Sequence, residues 1–116
     1  VILDRVRIAP YSLRLHRPWH GAAAVMERRA GWLVSAAAGD LAGHGDCSPP
    51  PSAPEREIAA CESALGALAG ALQGRALDAA LQFVAEWGAP APVVCALETA
   101  LLDVQAQAAG ISLARL

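Results

Sequence analysis

The sequence predicts an α+β fold, a three-stranded antiparallel sheet followed by three helices, in a single domain of 116 residues. Two patterns predict it. Before residue 52 apolar and polar residues alternate, as in half-buried strands; after it, apolar residues recur at steps of three and four, as on helices that bury one face. A third observation separates the halves: prolines 49–51 are followed by Ser52-Ala53-Pro54-Glu55, an S-x-x-E helix-start signature.

Val6 and Ile8 alternate with Arg5 and Arg7; Tyr11, Leu13 and Leu15 then alternate with Ser12, Arg14 and His16. Apolar residues sit at even numbers before Pro10 and at odd numbers after it. A bulge or bend at Ala9-Pro10 would produce that flip, and proline there suits an edge strand. Residues 3–15 are therefore expected to form one long, bent strand. Residues 30–38 and 41–48 flank Gly39-Asp40, a two-residue link suited to a type II′ hairpin. His16 to Arg29 reads as a connecting loop of about 14 residues, a length often found in functional or mobile loops.

In the helical half, the capping box expects Ser52 to cap a helix over 54–73, with Pro54 in its first turn. Ile58, Cys61, Leu65, Leu68 and Leu72 form its apolar stripe, and Gly74 stops it. Leu77, Leu81 and Val84 mark a second helix, 75–87, ended by Gly88. Pro90 and Pro92 open a third that runs to Gly110, striped by Val93, Leu97, Leu101, Val104 and Ala108. Val94, Ala96, Ala100 and Leu102 spread apolar character over much of its remaining surface. Three strands and two helices cover such a helix only in part. Either an alanine-rich helix tolerates exposure, or the domain packs against something outside this chain.

Composition removes several chemistries. There is no lysine, so Schiff-base chemistry, a lysine general base and a P-loop lysine are excluded within the chain. Nine arginines against eleven acids give a net charge of −2 without a basic stripe, and no nucleic-acid partner is expected. With 55% hydrophobic and 17% charged residues the chain is not disordered. No apolar run approaches the roughly 20 residues of a membrane span, and the alternating first residues are neither a signal peptide nor a transit peptide. Cys47, Cys61 and Cys95 are odd in number and lack a C-x-x-C, which argues against a disulfide framework and suits a reducing, cytoplasmic setting.

The candidate metal ligands, His16, His20, His44, Asp46, Cys47, Glu98 and Asp103, make no recognisable set. Glu98 and Asp103 point about 140° apart on a helix, and the histidines fall on strand and loop, so no metal site is expected. His44 and Cys47 lie three apart, on opposite sides of a strand, so a buried or half-buried thiol is expected rather than a Cys-His pair. Gly43-His44-Gly45 lacks the third glycine and the following helix of a dinucleotide loop; close packing or a bulge explains it better. The 16–29 segment carries Arg17, Arg28 and Arg29 beside Trp19 and Met26. Guanidinium groups pair with carboxylates, and Trp and Met supply an apolar wall, so a carboxylate-bearing small molecule fits this segment chemically. An ordinary solvated loop is the alternative.

Three motifs then occur in order: Gly43-His44-Gly45-Asp46-Cys47-Ser48-Pro49, Cys95-Ala96-Leu97-Glu98-Thr99-Ala100-Leu101-Leu102-Asp103, and Gly110-Ile111-Ser112-Leu113-Ala114-Arg115-Leu116. With the layout above, the chain resembles the N-terminal capping domain of the enolase superfamily over nearly its whole length. The arginine-rich first strand and Arg17-Pro18-Trp19 look most like the o-succinylbenzoate synthase branch, related to muconate cycloisomerases. Asp46, Pro50 and Ser112 stand where that family more often has Glu, an apolar residue and Pro.

The resemblance implies one capping domain over 1–116: a meander sheet over 1–48, a helical half over 52–110, and the start of a link to a barrel over 111–116. It implies a C-terminal (β/α)-barrel partner, absent from this chain, that holds Mg²⁺ and the catalytic lysines. The implied reaction is abstraction of a proton beside a carboxylate; in the synthase, loss of water then gives o-succinylbenzoate for menaquinone synthesis. N-acylamino-acid racemase, dipeptide epimerase and muconate cycloisomerase are the alternatives within the superfamily. In such enzymes the cap closes the pocket with two loops, matched here by 16–29 and 48–53. Arg17, Trp19, His20, Met26, Arg28, Ser48 and Pro49 are thereby expected to face substrate, with no catalytic or metal residue in this chain. A stand-alone binding or oligomerisation module, such as a homo-oligomer formed through the exposed helical face, is the reading of a different class.

Overall fold

The computed structural model describes residues 1–22 and 25–116. Three strands, β1 (Arg5–His20), β2 (Val25–Ala38) and β3 (Leu41–Cys47), form an antiparallel sheet in the order β1-β2-β3. Three helices follow, α1 (Glu55–Leu72), α2 (Leu77–Trp87) and α3 (Ala91–Ala108), then a short 3₁₀ turn at Leu113–Arg115. The α+β order expected from the two periodicities is the observed one. Gly39 carries the only positive φ in the β2–β3 link, at 59°, and so supplies the conformation that a type II′ turn requires at its first position.

The helices cover one face of the sheet. α3 lies along β3 and β2, and α1 lies beside β1. Val6 from β1 and Val34, Ala36 and Ala38 from β2 are buried beneath them, against Leu65, Leu68 and Leu72 of α1 and Val93, Leu97, Leu101 and Val104 of α3. The Gly43-x-Gly45 pair acts here as a packing device. A Cβ at Gly43 would overlap the carbonyl oxygen of Ala100, and one at Gly45 that of Ala96, so the helix backbone rests directly on the strand. No bulge interrupts β3.

Side chains of α3 also serve the open edge of β3. Gln107 Nε2 donates to the Ala42 carbonyl at 2.7 Å, and the His44 N–H donates to Asp103 Oδ2 at 3.3 Å. At the other end, the amino-terminal segment is tied to the α1–α2 junction. Leu3 N–H donates to Arg75 O at 2.9 Å, Gly74 N–H to Leu3 O at 2.8 Å, and Val6 N–H to Gln73 Oε1 at 3.1 Å.

Three expectations need correction. First, β1 pairs with β2 without interruption from Arg5↔Ala37 to Arg14↔Arg28, passing straight through Pro10. The edge position is as expected, but the flip in pattern is not a bulge. Val6 and Ile8 face the helices, whereas Tyr11 uses the opposite face to reach polar partners, so both faces have something to gain from a large side chain. The irregularity lies further on, between Arg14 and Trp19. Second, the segment 16–29 is not a loop. His16–His20 and Val25–Arg29 continue the two strands, with Trp19↔Met26 and His20↔Val25 paired. No helix covers this part of the ladder on either face, so no strict alternation of apolar and polar residues advertised it.

Third, the Ser52 capping box does not form. α1 begins at Glu55 with Pro54 as its N-cap and no side-chain cap bond. Ser52 sits inside a turn closed by Ala53 N–H to Pro50 O at 2.9 Å, too early to reach the helix. The helix stops fall close to expectation, with Gly74, Gly88 and Gly110 all at positive φ.

The Cα radius of gyration is 15.1 Å, against about 13 Å for a compact chain of this length. The excess has a clear source: the outer half of the β1–β2 hairpin extends beyond the helices, and most of its residues are exposed.

Candidate functional site

Where the hairpin runs out from under the helices, it leaves a cavity of about 760 Å³ between β1–β2, the proline turn after β3, and α1. Met26, Arg28, Ala30 and Trp32 of β2 line it at two-residue spacing, continuing the row of Val34, Ala36 and Ala38 that lies under the helices. Ile8 and Pro10 add the β1 side, Pro49 and Pro51 one wall, and Ile58, Glu62 and Gly66 of α1 the other. Ile58 belongs to the α1 stripe but stays 38% exposed, because it faces this space and not the core.

The irregularity in β1 changes which residues share that face. Between the pairs Arg14↔Arg28 and Trp19↔Met26, β1 has four residues, 15–18, where β2 has only Glu27. An odd excess of three reverses the parity of the strand. Trp19, which would otherwise belong to the opposite face, thus pairs with Met26 on the cavity side. Pro18 sits in the irregular stretch, where a missing N–H breaks no ladder bond.

Charge at the site comes mainly from arginine. Arg14 and Arg28 are directly opposed in the ladder, an arrangement of like charges that is unfavourable unless an anion or solvent compensates it. Arg28 Nε donates to Ser12 Oγ at 3.0 Å and Arg29 Nη2 to the Ser48 carbonyl at 3.1 Å; both acceptors are neutral. Two guanidinium groups beside an apolar floor of Met26, Trp32 and Pro49 are suited to a ligand with a carboxylate and an apolar body. Glu62 gives the far wall one acidic group.

Of the residues expected to face substrate, Met26, Arg28 and Pro49 line this cavity. Trp19 is paired to Met26 and 62% exposed. Arg17 and His20 are exposed toward the hairpin tip, away from the lining. The Ser48 hydroxyl is bonded to Asp46 Oδ2 at 2.9 Å and to the Tyr11 hydroxyl. Pro51 falls in the 48–53 segment expected to close the pocket, whereas Trp32, Pro10 and Ile58 line it without having been expected there. The even spacing of Met26, Arg28 and Trp32 is the signal that marks them as one strand face, and it is lost when 16–29 is read as a loop.

The two core thiols offer no nucleophile, and the exposed Cys95 lies on α3, outside the cavity lining. Cys47 and Cys61 are buried in the core, and burial pushes the Cys47 thiol up to about 12 and Cys61 upward as well. His44 is exposed on the other face of β3. Among the described residues no three His, Cys, Asp or Glu side chains gather as a candidate metal site. Among the same residues, no helix is long and apolar enough to cross a membrane.

The sheet, the turn and the helical layer together are consistent with the N-terminal cap domain of the enolase superfamily. Solved structures from that superfamily match nearly the whole chain. A dipeptide epimerase from Methylococcus capsulatus, complexed with Mg and the dipeptide L-Arg-D-Lys, is 28% identical over 99% of this chain, with a TM-score of 0.84. The L-Ala-D/L-Glu epimerase of Bacillus subtilis, in a substrate-liganded complex, matches 94% of this chain at 22% identity and a TM-score of 0.80. An enolase-superfamily member from Roseovarius nubinhibens matches 92% at 18% identity and a TM-score of 0.71. The chain spans only 34%, 32% and 31% of these three structures respectively, about a third of their length. No protein-family model and no curated protein matches the chain.

Proposed function

We propose that residues 1–116 form the substrate-capping domain of an enolase-superfamily epimerase acting on a dipeptide or a similarly acylated amino acid. The likeness to the Methylococcus dipeptide epimerase over almost the entire chain carries this reading. The cavity supports it: an apolar floor suits side chains of the substrate, and Arg28 and Arg29 suit its carboxylate. The chain's own part is to bind, orient and exclude water by closing the hairpin and the proline turn over the substrate. The metal and the proton-transfer groups are assigned to a barrel that follows in the complete protein, since this chain has no lysine and no metal cluster among its described residues. Mg²⁺ there would stabilise negative charge developing on the substrate carboxylate. Three free thiols suit a reducing, cytoplasmic location.

The arginine-rich β1 and the Arg17-Pro18-Trp19 segment favour a second reading, an o-succinylbenzoate synthase-like lyase of menaquinone biosynthesis. One experiment separates the two. The complete protein, with Mg²⁺ in D₂O, is incubated with a dipeptide panel and, separately, with the synthase substrate, and followed by proton NMR. Loss of the α-proton signal from a dipeptide is the expected result; dehydration without dipeptide exchange overturns it in favour of the lyase. The 116-residue chain alone is expected to turn over neither.

A further inference from the structure

We infer that Tyr11 is a positioning residue of this site, holding in place the proline turn that forms one wall of the cavity. Its effect on turnover rests on the capping reading above; its geometry does not. Tyr11 stands directly opposite Gly31, alternating to the sheet face away from the helices, and also borders the cavity beside the proline turn. With no side chain at Gly31, the phenol can extend across β2 toward the end of β3; a Cβ there would meet the Tyr11 hydroxyl and the Cys47 carbonyl. The hydroxyl reaches Asp46 Oδ1 at 2.7 Å and Ser48 Oγ, and Ser48 Oγ in turn donates to Asp46 Oδ2. Arg29 Nη2 adds a bond to the Ser48 carbonyl at 3.1 Å. Ser48, the first residue beyond β3, is therefore held by one side chain from β1 and another from β2.

The next three residues explain why such a hold is needed. Pro49, Pro50 and Pro51 have no N–H, so the chain cannot be fastened there by donating backbone hydrogen bonds. The turn is stiff within itself and depends on its two ends: Ala53 N–H to Pro50 O on one side, and the Tyr11–Asp46–Ser48 cluster on the other. Pro49 and Pro51 face the cavity. A shift at Ser48 thus moves the wall as a body. Burial raises the Tyr11 pKa, which keeps the phenol protonated and able to donate well beyond neutral pH.

The test uses Tyr11→Phe in the complete protein, which removes one oxygen and leaves the ring over Gly31. Amide hydrogen exchange at Ala53, whose N–H is bonded to the Pro50 carbonyl, is expected to rise about tenfold, with KM for the dipeptide raised about tenfold and kcat within about twofold. Ser48→Ala should reproduce both effects, whereas Ser48→Thr, which keeps a hydroxyl, should restore them toward wild type. Unchanged exchange at the Ala53 amide overturns the clamp. Faster exchange with an unmoved KM overturns the positioning role. Absence of dipeptide turnover in the wild-type protein overturns the capping reading instead, and the exchange result then decides the clamp by itself.

Discussion

The two halves of the β1–β2 hairpin share one ladder and differ in almost everything else. At its base, Val6, Val34 and Ala36 are buried under helices, and α3 presses so closely on β3 that only glycine fits at 43 and 45. In its outer half, the same sheet face carries Met26, Arg28 and Trp32 into an open cavity, and arginine stands opposite arginine. Backbone pairing alone therefore does not tell core from site. What distinguishes them is the covering layer: where a helix lies on the sheet, small and apolar residues are required, and where none does, charge and aromatic surface are free to serve a ligand.

The largest effect should come from breaking the base. Gly45→Ala pushes a methyl group into the Ala96 carbonyl and should cost about 3 kcal/mol in denaturant unfolding, whereas Ala30→Gly in the outer half should cost under about 1 kcal/mol. Equal costs would erase the distinction between the halves.

A pH series sharpens it next. Folding holds Cys47 neutral up to about 12, against an ordinary value of 9.0. Between those values the unfolded chain loses its thiol proton first and binds fewer protons than the folded one. Stability is therefore fully present below about pH 9 and falls as pH rises toward about 12, with Tyr11 adding to the fall above 10.0. The urea midpoint should drop between about pH 8 and about pH 10.5, and Cys47→Ala should flatten that drop. Thiol labelling gives a smaller readout of the same contrast. In the native state, exposed Cys95 should react at once with a disulfide reagent, while Cys47 and Cys61, buried at the base, should react only on unfolding. Fast labelling of all three would mean that the base opens as readily as the rim.

The sequence disclosed the base far better than the rim, and the reason is physical. Leu65, Leu68, Leu72, Leu97 and Leu101 are buried at the helical spacings that announced them, and Gly39-Asp40 lies in the turn its composition called for. Burial on one face writes a period into the sequence. Trp19, Met26 and Arg28 were recognisable as chemistry but not as strand, because nothing covers them and no period records their pairing. Tyr11 reads in sequence as part of a flipped alternation, because its cross-strand partner Gly31 and its hydrogen-bond partners Asp46 and Ser48 lie 20 to 37 positions away. The capping box misled for a related reason: Ser52 has the right neighbours in sequence, but the proline turn claims it before the helix begins.

Whether the outer half of the hairpin faces substrate is decided by the steady-state kinetics of Arg28→Ala in the complete protein. KM for the dipeptide should rise about tenfold or more, with a melting temperature within about 2 °C of wild type, because Arg28 is exposed and its side chain, among the described residues, is bonded only to the neutral Ser12 hydroxyl. An unchanged KM at an unchanged melting temperature would contradict it.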